Sequence, residues 1–409
     1  MSNHHPELSL QNDNWSNLSL IEDVPKINQA RLMAYRMQRL TEQMRLQNVS
    51  ACVMVSPVSL RYAINYRNYA LFTSHIPSTY LFLSTSGDYW LHGAFDPSLA
   101  AEKKRAGRHI SFMYGGNALS DQADLFAQDI VEFLSHSGAQ NSRVAVEYVN
   151  PSITSALLKH NIDVIDGVTI TEQARLIKSD DELACIKWAL KVAEHGADNM
   201  KKALNAGVSE LQLWALLNYV NVANDGDWHD GRMLASGPRT NPWLQEASSR
   251  KVRNGDLVAF DTDMVGPFGY CADLSRTFLC PSNNATKRQK ELYRLAMNEI
   301  EHNLTLVKHG VSFEDFRDQA FEVPEEYREN AYPCVLHGIG MCDEYPHIHP
   351  KFRGPLPYEG ILQAGMCVCI ESYVGEQQGE QGVKLEQQVL VTNDGYELLT
   401  NYPFEDALL

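Results

Sequence analysis

The stretch LVAFDTDMVGPFGYCADLSRTF (Leu257–Phe278) begins and ends as apolar strand sequence, yet it carries three aspartates, Asp261, Asp263 and Asp273. Two further apolar segments repeat the anomaly. GMCVCIESYV (365–374) carries Glu371, and GVKLEQQVLVTNDG (382–395) carries Glu386. An ionised carboxylate inside a buried strand costs several kcal/mol unless something positive pairs with it. No quota of Lys or Arg nearby covers five acids, whereas a metal ion neutralises them together. His337, in LHGIG, adds an imidazole nitrogen. Five carboxylates and one imidazole suit Fe, Mn or Zn better than Mg or Cu(I). Taken singly, each acid reads equally well as a turn cap or an exposed strand residue; taken as a set, they point to a metal centre.

Working outward, the segment before these acids is helical. Ser179-x-x-Glu182 forms a capping-box pattern, followed by Leu183, Ile186, Leu190, Ala193, Ala197 and Met200 along one helical face. Ser209-x-x-Gln212 repeats the box after Gly207. Gly207-Val208-Ser209 and Gly310-Val311-Ser312 each end a long helix and begin a shorter one, so residues 170–409 read as two related halves. Ahead of them, residues 26–167 read as a mixed α/β domain. It has a helix from Gln29 to Val49, a strand at 51–57, a hairpin turning at Ser86-Gly87-Asp88 and a strand ISFMY at 110–114. A helix near 119–136 follows, then strands at 143–148 and 162–166. Residues 1–25, rich in Asn and Ser, read as an extension.

Composition narrows the function. The chain has 409 residues, 44% of them hydrophobic, enough for two folded domains. Its 35 basic against 51 acidic residues give a net charge of −16. With no basic cluster to break that trend, nucleic acid is not an expected partner. The N-terminus lacks the basic and apolar regions of a secretory signal, and no stretch approaches the ~20 apolar residues of a membrane span. The eight cysteines include no Cys-x-x-Cys pair. They read as reduced, mostly buried thiols of a cytoplasmic protein.

The order Asp, Asp, His, Glu, Glu resembles the pita-bread metallopeptidase family, which includes methionine aminopeptidase, Xaa-Pro peptidases, prolidase and the metal-free creatinase. Specific echoes are Gly269-Tyr270-x-x-Asp273-x-x-Arg276-Thr277-Phe278, His337-Gly338-Ile339-Gly340, Ile370-Glu371 and Gly382-Val383-Lys384-Leu385-Glu386. The resemblance implies an α/β (α+β) chain: a creatinase/prolidase-type N-terminal domain over 26–167, then a pita-bread catalytic domain over 170–409 built from two related halves.

Three departures separate this sequence from the peptidases. Asp261 and Asp273 stand 273 − 261 = 12 positions apart, one more than the peptidase spacing, with Asp263 between them. The stretch from Ser236 to Glu246 has no histidine where peptidases carry one shortly before the first aspartate. HGIGMCDEYP places Asp343 where peptidases carry a second histidine. An anionic aspartate cannot donate a proton to an oxyanion, but it can take one from carbon or water. These features resemble the dimethylsulfoniopropionate lyases of the DddP type within the family.

That resemblance implies an iron-containing homodimer, with Mn or Zn as alternative metals, that cleaves a small zwitterionic sulfonium substrate to dimethyl sulfide and acrylate. Carried over residue by residue, Asp261, Asp263, Asp273, His337, Glu371 and Glu386 match the metal ligands, Asp343 the general base, and Tyr332 a substrate-pocket tyrosine. Trp243 and Trp228 are candidates for a pocket tryptophan, and Tyr345 is a further aromatic that could face the sulfonium. The competing expectations are an Xaa-Pro peptidase, another small-molecule amide hydrolase on the same fold, and a non-catalytic binding protein.

Overall fold

The computed structural model describes residues 24–67, 69–93, 116–281 and 284–409. The expected strand at 110–114 and the extension through residue 23 lie outside them. Contacts divide the chain into two compact units, Asn28–Arg175 and one centred on Leu176–Leu409.

The first unit holds a five-stranded mixed sheet in the order β3-β2-β1-β4-β5. Its strands are β1 (Ala51–Met54), β2 (Tyr80–Ser84), β3 (Tyr89–His92), β4 (Arg143–Val146) and β5 (Asp163–Asp166). β2 and β3 form the hairpin expected from the Ser-Gly-Asp turn, and the helix Leu119–His136 buries Phe126, Ile130 and Phe133. The unit continues past the boundary read at 167 because the helix Val168–Arg175 packs on the helix Gln29–Leu46, where Arg39 donates to the carbonyls of Gln173 and Ala174.

In the second unit both capping boxes form. Ser179 caps the helix Asp180–Ala203 with Glu182 reaching back, and Ser209 with Gln212 does the same for Glu210–Ala223. The strands are β6 (Trp228–His229), β7 (Leu234–Ser236), β8 (Leu257–Phe260), β9 (Met264–Val265), β10 (Cys271–Ala272) and β11 (Arg276–Leu279), then β12 (Leu336–Ile339), β13 (Asp343–Ile348), β14 (Cys367–Val374), β15 (Val383–Val391) and β16 (Tyr396–Leu398). They make two three-stranded sheets, β10-β9-β6 and β11-β8-β7, and one five-stranded sheet, β13-β12-β14-β15-β16.

The repeated Gly-Val-Ser marks two structurally matched halves. Gly207 donates to the carbonyl of Val252 at 2.9 Å and Val252 returns a bond to Val208; Gly310 and Leu362 make the same exchange, with Leu362 returning to Val311. Downstream, Gly255 donates to Cys280 at the end of β11, and Gly365 donates to Val391 at the end of β15. The antiparallel pair β8/β11 therefore corresponds to β14/β15. Asp261 and Glu371 occupy the same place in their halves, 371 − 261 = 110 positions apart, the offset that also relates Gly255 to Gly365.

Side chains alternate across a strand, and here the two faces do different work. Val368, Ile370, Val374, Leu385 and Val389 pack with Leu292, Tyr293, Ala296 and Ile300 of the helix Lys287–Leu304 in one apolar core. The residues between them on β14 and β15 turn to the opposite face, which carries Cys369, Glu371, Tyr373, Lys384, Glu386 and Gln388. Burial on both faces explains why these strands read as near-continuous apolar sequence broken only by acids.

His337 sits on β12 at a register shift between His337 and Gly338. A Cβ on Gly338 would lie 2.2 Å from the carbonyl oxygen of Tyr345. Gly338→Ala therefore forces β12 and β13 apart. The expected cost is about 1–3 kcal/mol, the usual range for overpacking, read as a lowered midpoint in thermal unfolding; an unchanged midpoint would show that the approach is relaxed elsewhere.

Candidate metal centre

The strand register sets which acids meet. Glu371 on β14 lies opposite Glu386 on β15, and Cys369 lies opposite both His337 on β12 and Gln388 on β15. Asp261 follows the last residue of β8 and Asp273 precedes β11, the partner strand of β8. Asp263, with φ of 35°, turns the chain between β8 and β9. Asp261, Asp273, His337, Glu371 and Glu386 are all buried, and Asp263 is partly so.

Three overlapping groups have ligand atoms within 4.8 Å of one another: Asp273, His337, Cys369 and Glu386; Asp261, Glu371 and Glu386; and Asp261, Asp263 and Asp273. The six residues expected as ligands are thus brought into one place. His337 Nε2 stands 3.2 Å from Glu371 Oε1, 3.7 Å from Asp273 Oδ2 and 4.0 Å from Glu386 Oε1. Its Nδ1 lies 3.0 Å from the carbonyl of Gly338. With Nδ1–H donating there, Nε2 is the nitrogen that faces the acids, the orientation in which a histidine binds metal once that nitrogen gives up its proton.

The surrounding protein pins these groups. Arg276, fully buried, donates to the backbone carbonyls of Ser275 and Glu386 and to the side-chain oxygen of Gln387. Ser275 Oγ donates to Glu386 at 2.9 Å, and Gln388 accepts the backbone N–H of Asp273 at 3.1 Å.

One cation was missed in reading the sequence. Lys384, wholly buried, places Nζ 3.0 Å from Asp261 Oδ2, against Glu371 Oε2, and 3.9 Å from Glu386 Oε2. The expectation was that no Lys or Arg quota nearby covers five acids; the fold brings one ammonium, Lys384, to them. Two-residue alternation puts Lys384 on the same face as Glu386, and that signal was present in the motif. One ammonium still leaves the cluster strongly acidic. Burial pushes the Asp263 carboxyl up to about 8, aided by Asp261, Asp343 and Glu371. Burial and mutual repulsion lift Asp273 and Glu386 well above the usual carboxylate range. Asp261 goes the other way: burial is the largest single effect and raises it, but Lys384 together with hydrogen bonds from Asp273 and Ser275 lowers it overall. Burial disfavours the His337 imidazolium, but Asp343, Glu371 and Glu386 outweigh it and hold its pKa at about 10.

The donor set fits a divalent metal. Asp261 Oδ1, Asp273 Oδ1 and Glu386 Oε1 are buried acceptors without a hydrogen-bond partner. Three such oxygens in one cluster are costly unless a cation meets them.

Asp343 begins β13 at the rim, its side chain 69% exposed and its Oδ1 3.7 Å from His337 Nδ1. Tyr332 reaches the cluster with its ring centroid 4.4 Å from Lys384 Nζ. Trp243 joins it in an apolar group with Ala259 and Tyr373, and its buried indole N–H has no hydrogen-bond partner. Trp228 stands apart from that group, opposite Val265 on β9, with its indole N–H donating to Asp230 at 2.7 Å. Tyr345 packs against Phe313 and Tyr358. The region before Asp261 lacks a histidine where one was sought, but His229 on β6 places Nδ1 2.7 Å from the carbonyl of Thr262, between the first two aspartates.

The chain is similar to known proteins along most of its length. The sequence profile of metallopeptidase family M24 matches residues 184–393. The dimethylsulfoniopropionate lyase DddP of Roseovarius nubinhibens is 31% identical over 395 residues, covering 93% of this chain and 88% of the relative. The protein of the same name from Roseobacter denitrificans is 31% identical over 404 residues, covering 95% and 89%. Among solved structures, an Xaa-Pro dipeptidase from Bacillus anthracis superposes with a TM-score of 0.71 at 20% identity, covering 91% of this chain and 99% of that one.

Adding Mn²⁺ or Fe²⁺ to metal-free protein is expected to raise the unfolding midpoint, by about 2.7 kcal/mol of stability at a hundredfold excess over Kd. His337→Ala is expected to lose most of that gain and most of the metal measured by elemental analysis. Full metal occupancy in His337→Ala would contradict the ligand assignment.

Proposed function

The chain belongs to metallopeptidase family M24, and from that premise we propose that it is a metal-dependent carbon–sulfur lyase cleaving dimethylsulfoniopropionate to dimethyl sulfide and acrylate. The observation that carries the reading is Asp343: a carboxylate at the rim of the acid cluster, beside His337, at the position where the peptidases of the fold carry a histidine. Identity to the two named lyases along nearly the whole chain supports it. Likeness to the Xaa-Pro dipeptidase supports the shared fold.

In this reading Asp261, Asp263, Asp273, His337, Glu371 and Glu386 hold the metal, with iron the favoured ion. When bound, that metal supplies Lewis acidity beside the substrate carboxylate. Asp343 takes the proton from the carbon next to the carboxylate. The released electron pair forms the carbon–carbon double bond as the carbon–sulfur bond breaks, and dimethyl sulfide leaves neutral with the bonding pair. Asp343 then returns its proton to solvent through its exposed side.

The sulfonium end needs aromatic faces. Tyr332 and Trp243 share one apolar group and form the better candidate wall. One face of Tyr332 already meets Lys384, so the sulfonium takes the other face. Trp228 stands outside that group, with its indole N–H held by Asp230, and is the weaker candidate. We further read the active form as a cytoplasmic homodimer. Among the described residues no helix is long and apolar enough to cross a membrane.

Asp343→Asn keeps the shape of the side chain but removes its basicity. Bound metal is expected to persist while dimethyl sulfide release, measured in the headspace, falls at least ~10²-fold, the usual scale for a positioned base. Near wild-type release from metal-replete Asp343→Asn would sink the mechanism, and release of proline from Xaa-Pro dipeptides without dimethyl sulfide would favour the peptidase reading. Light scattering is expected to give twice the mass of one chain; one chain's mass at micromolar concentration would reject the dimer.

A further inference from the structure

Cys369 precedes Glu371 by two residues on β14, so both side chains stand on the face that carries the acids. His337 lies directly opposite Cys369 on β12. As a result the Cys369 sulfur and one ligand atom each from Asp273, His337 and Glu386 fall within 4.8 Å of one another, and all four residues are buried. A second observation is independent of the thiol. In this same group Asp273 Oδ1 and Glu386 Oε1 have no hydrogen-bond partner, although their residues are only 2% and 0% exposed. Acceptors buried in this way call for a cation rather than for a weak thiol donor.

We propose that Cys369 is a metal ligand of this site, entering the coordination sphere as a thiolate beside Asp273, His337 and Glu386. As the metal–sulfur bond forms, the sulfur supplies the electron pair and its proton passes to solvent; no oxidation state changes. One soft donor among hard oxygens tilts the site toward Fe²⁺, Co²⁺, Zn²⁺ and Cd²⁺ and away from Mn²⁺ and Mg²⁺. The inference rests on the acid cluster being a metal centre and is independent of the reaction assigned to it.

Cobalt reads out the proposal directly, because a thiolate bound to Co²⁺ gives an intense near-ultraviolet charge-transfer band that oxygen and nitrogen ligands do not. Titrating metal-free protein with Co²⁺ should develop this band in the wild type. Cys369→Ser should keep cobalt by elemental analysis and lose the band, while Cys367→Ser, which removes the preceding thiol on the same strand, should retain it. In competition, the preference for Cd²⁺ over Mn²⁺ should fall by at least ~10-fold in Cys369→Ser. Wild-type protein that binds Co²⁺ without the band, or a band that survives Cys369→Ser, overturns the proposal while leaving the metal centre intact. Wild-type protein that binds no Co²⁺ overturns both. If Cys369→Ser does not fold, cadmium NMR of the wild type decides: a sulfur-ligated shift supports the proposal, and an oxygen- and nitrogen-only shift overturns it.

Discussion

Five carboxylates gathered in the interior of a β-structure, most of them with almost no access to water, are the constraint on which the rest of this molecule depends. Their mutual repulsion and desolvation push Asp263, Asp273 and Glu386 toward the protonated form unless something positive meets them. The protein answers in part with Lys384, which bridges Asp261 and Glu371, and with Arg276, which spends its guanidinium on the backbone and side chains that frame Glu386. These two cations hold the strands in register but leave three acceptor oxygens unmet. That residue of negative charge is what a divalent metal would satisfy, and it ties the stability of the second unit to its chemistry.

The two matched halves explain how such a cluster arises. Each contributes an antiparallel pair entered through a glycine turn, and Asp261 and Glu371 stand at equivalent places in the two pairs. A ligand set divided in this way needs both halves folded before it closes. In the proposed reading, what the enzyme does with a metal is decided at the rim. Asp343 is mostly exposed, and its neighbour Glu344 is buried in an ion pair with Lys178 at 2.9 Å. The buried residue anchors the start of β13, and in the proposed reading the exposed one faces the substrate. A carboxylate there suits proton abstraction better than stabilisation of an oxyanion.

Much of this was legible in the sequence, because acids inside apolar runs are rare enough to stand out and capping boxes are local signals. The hairpin at Ser86-Gly87-Asp88, the helix Leu119–His136 and the two halves follow from turn chemistry and periodicity. Lys384 escaped because charge was counted along the chain and not across the sheet face, where its alternation with Glu386 places it. Cys369 escaped for a related reason: a cysteine in an apolar strand reads as core, and only its register opposite His337 shows that it faces the acids. The end of the first unit was placed too early because the helix Val168–Arg175 is held by long-range contacts with the helix Gln29–Leu46. The aromatic group of Trp243, Tyr373 and Tyr332 joins residues far apart in the chain, and no local pattern announces it.

The central claim is that this site removes a proton from carbon and does not deliver water to its substrate. Proton NMR of metal-loaded protein incubated with dimethylsulfoniopropionate distinguishes the two directly. Elimination predicts vinyl signals of acrylate growing in equal amount to dimethyl sulfide. Dimethyl sulfide accompanied by 3-hydroxypropionate, the product of water replacing sulfur, or a substrate left unchanged by fully metal-loaded protein, would contradict the account.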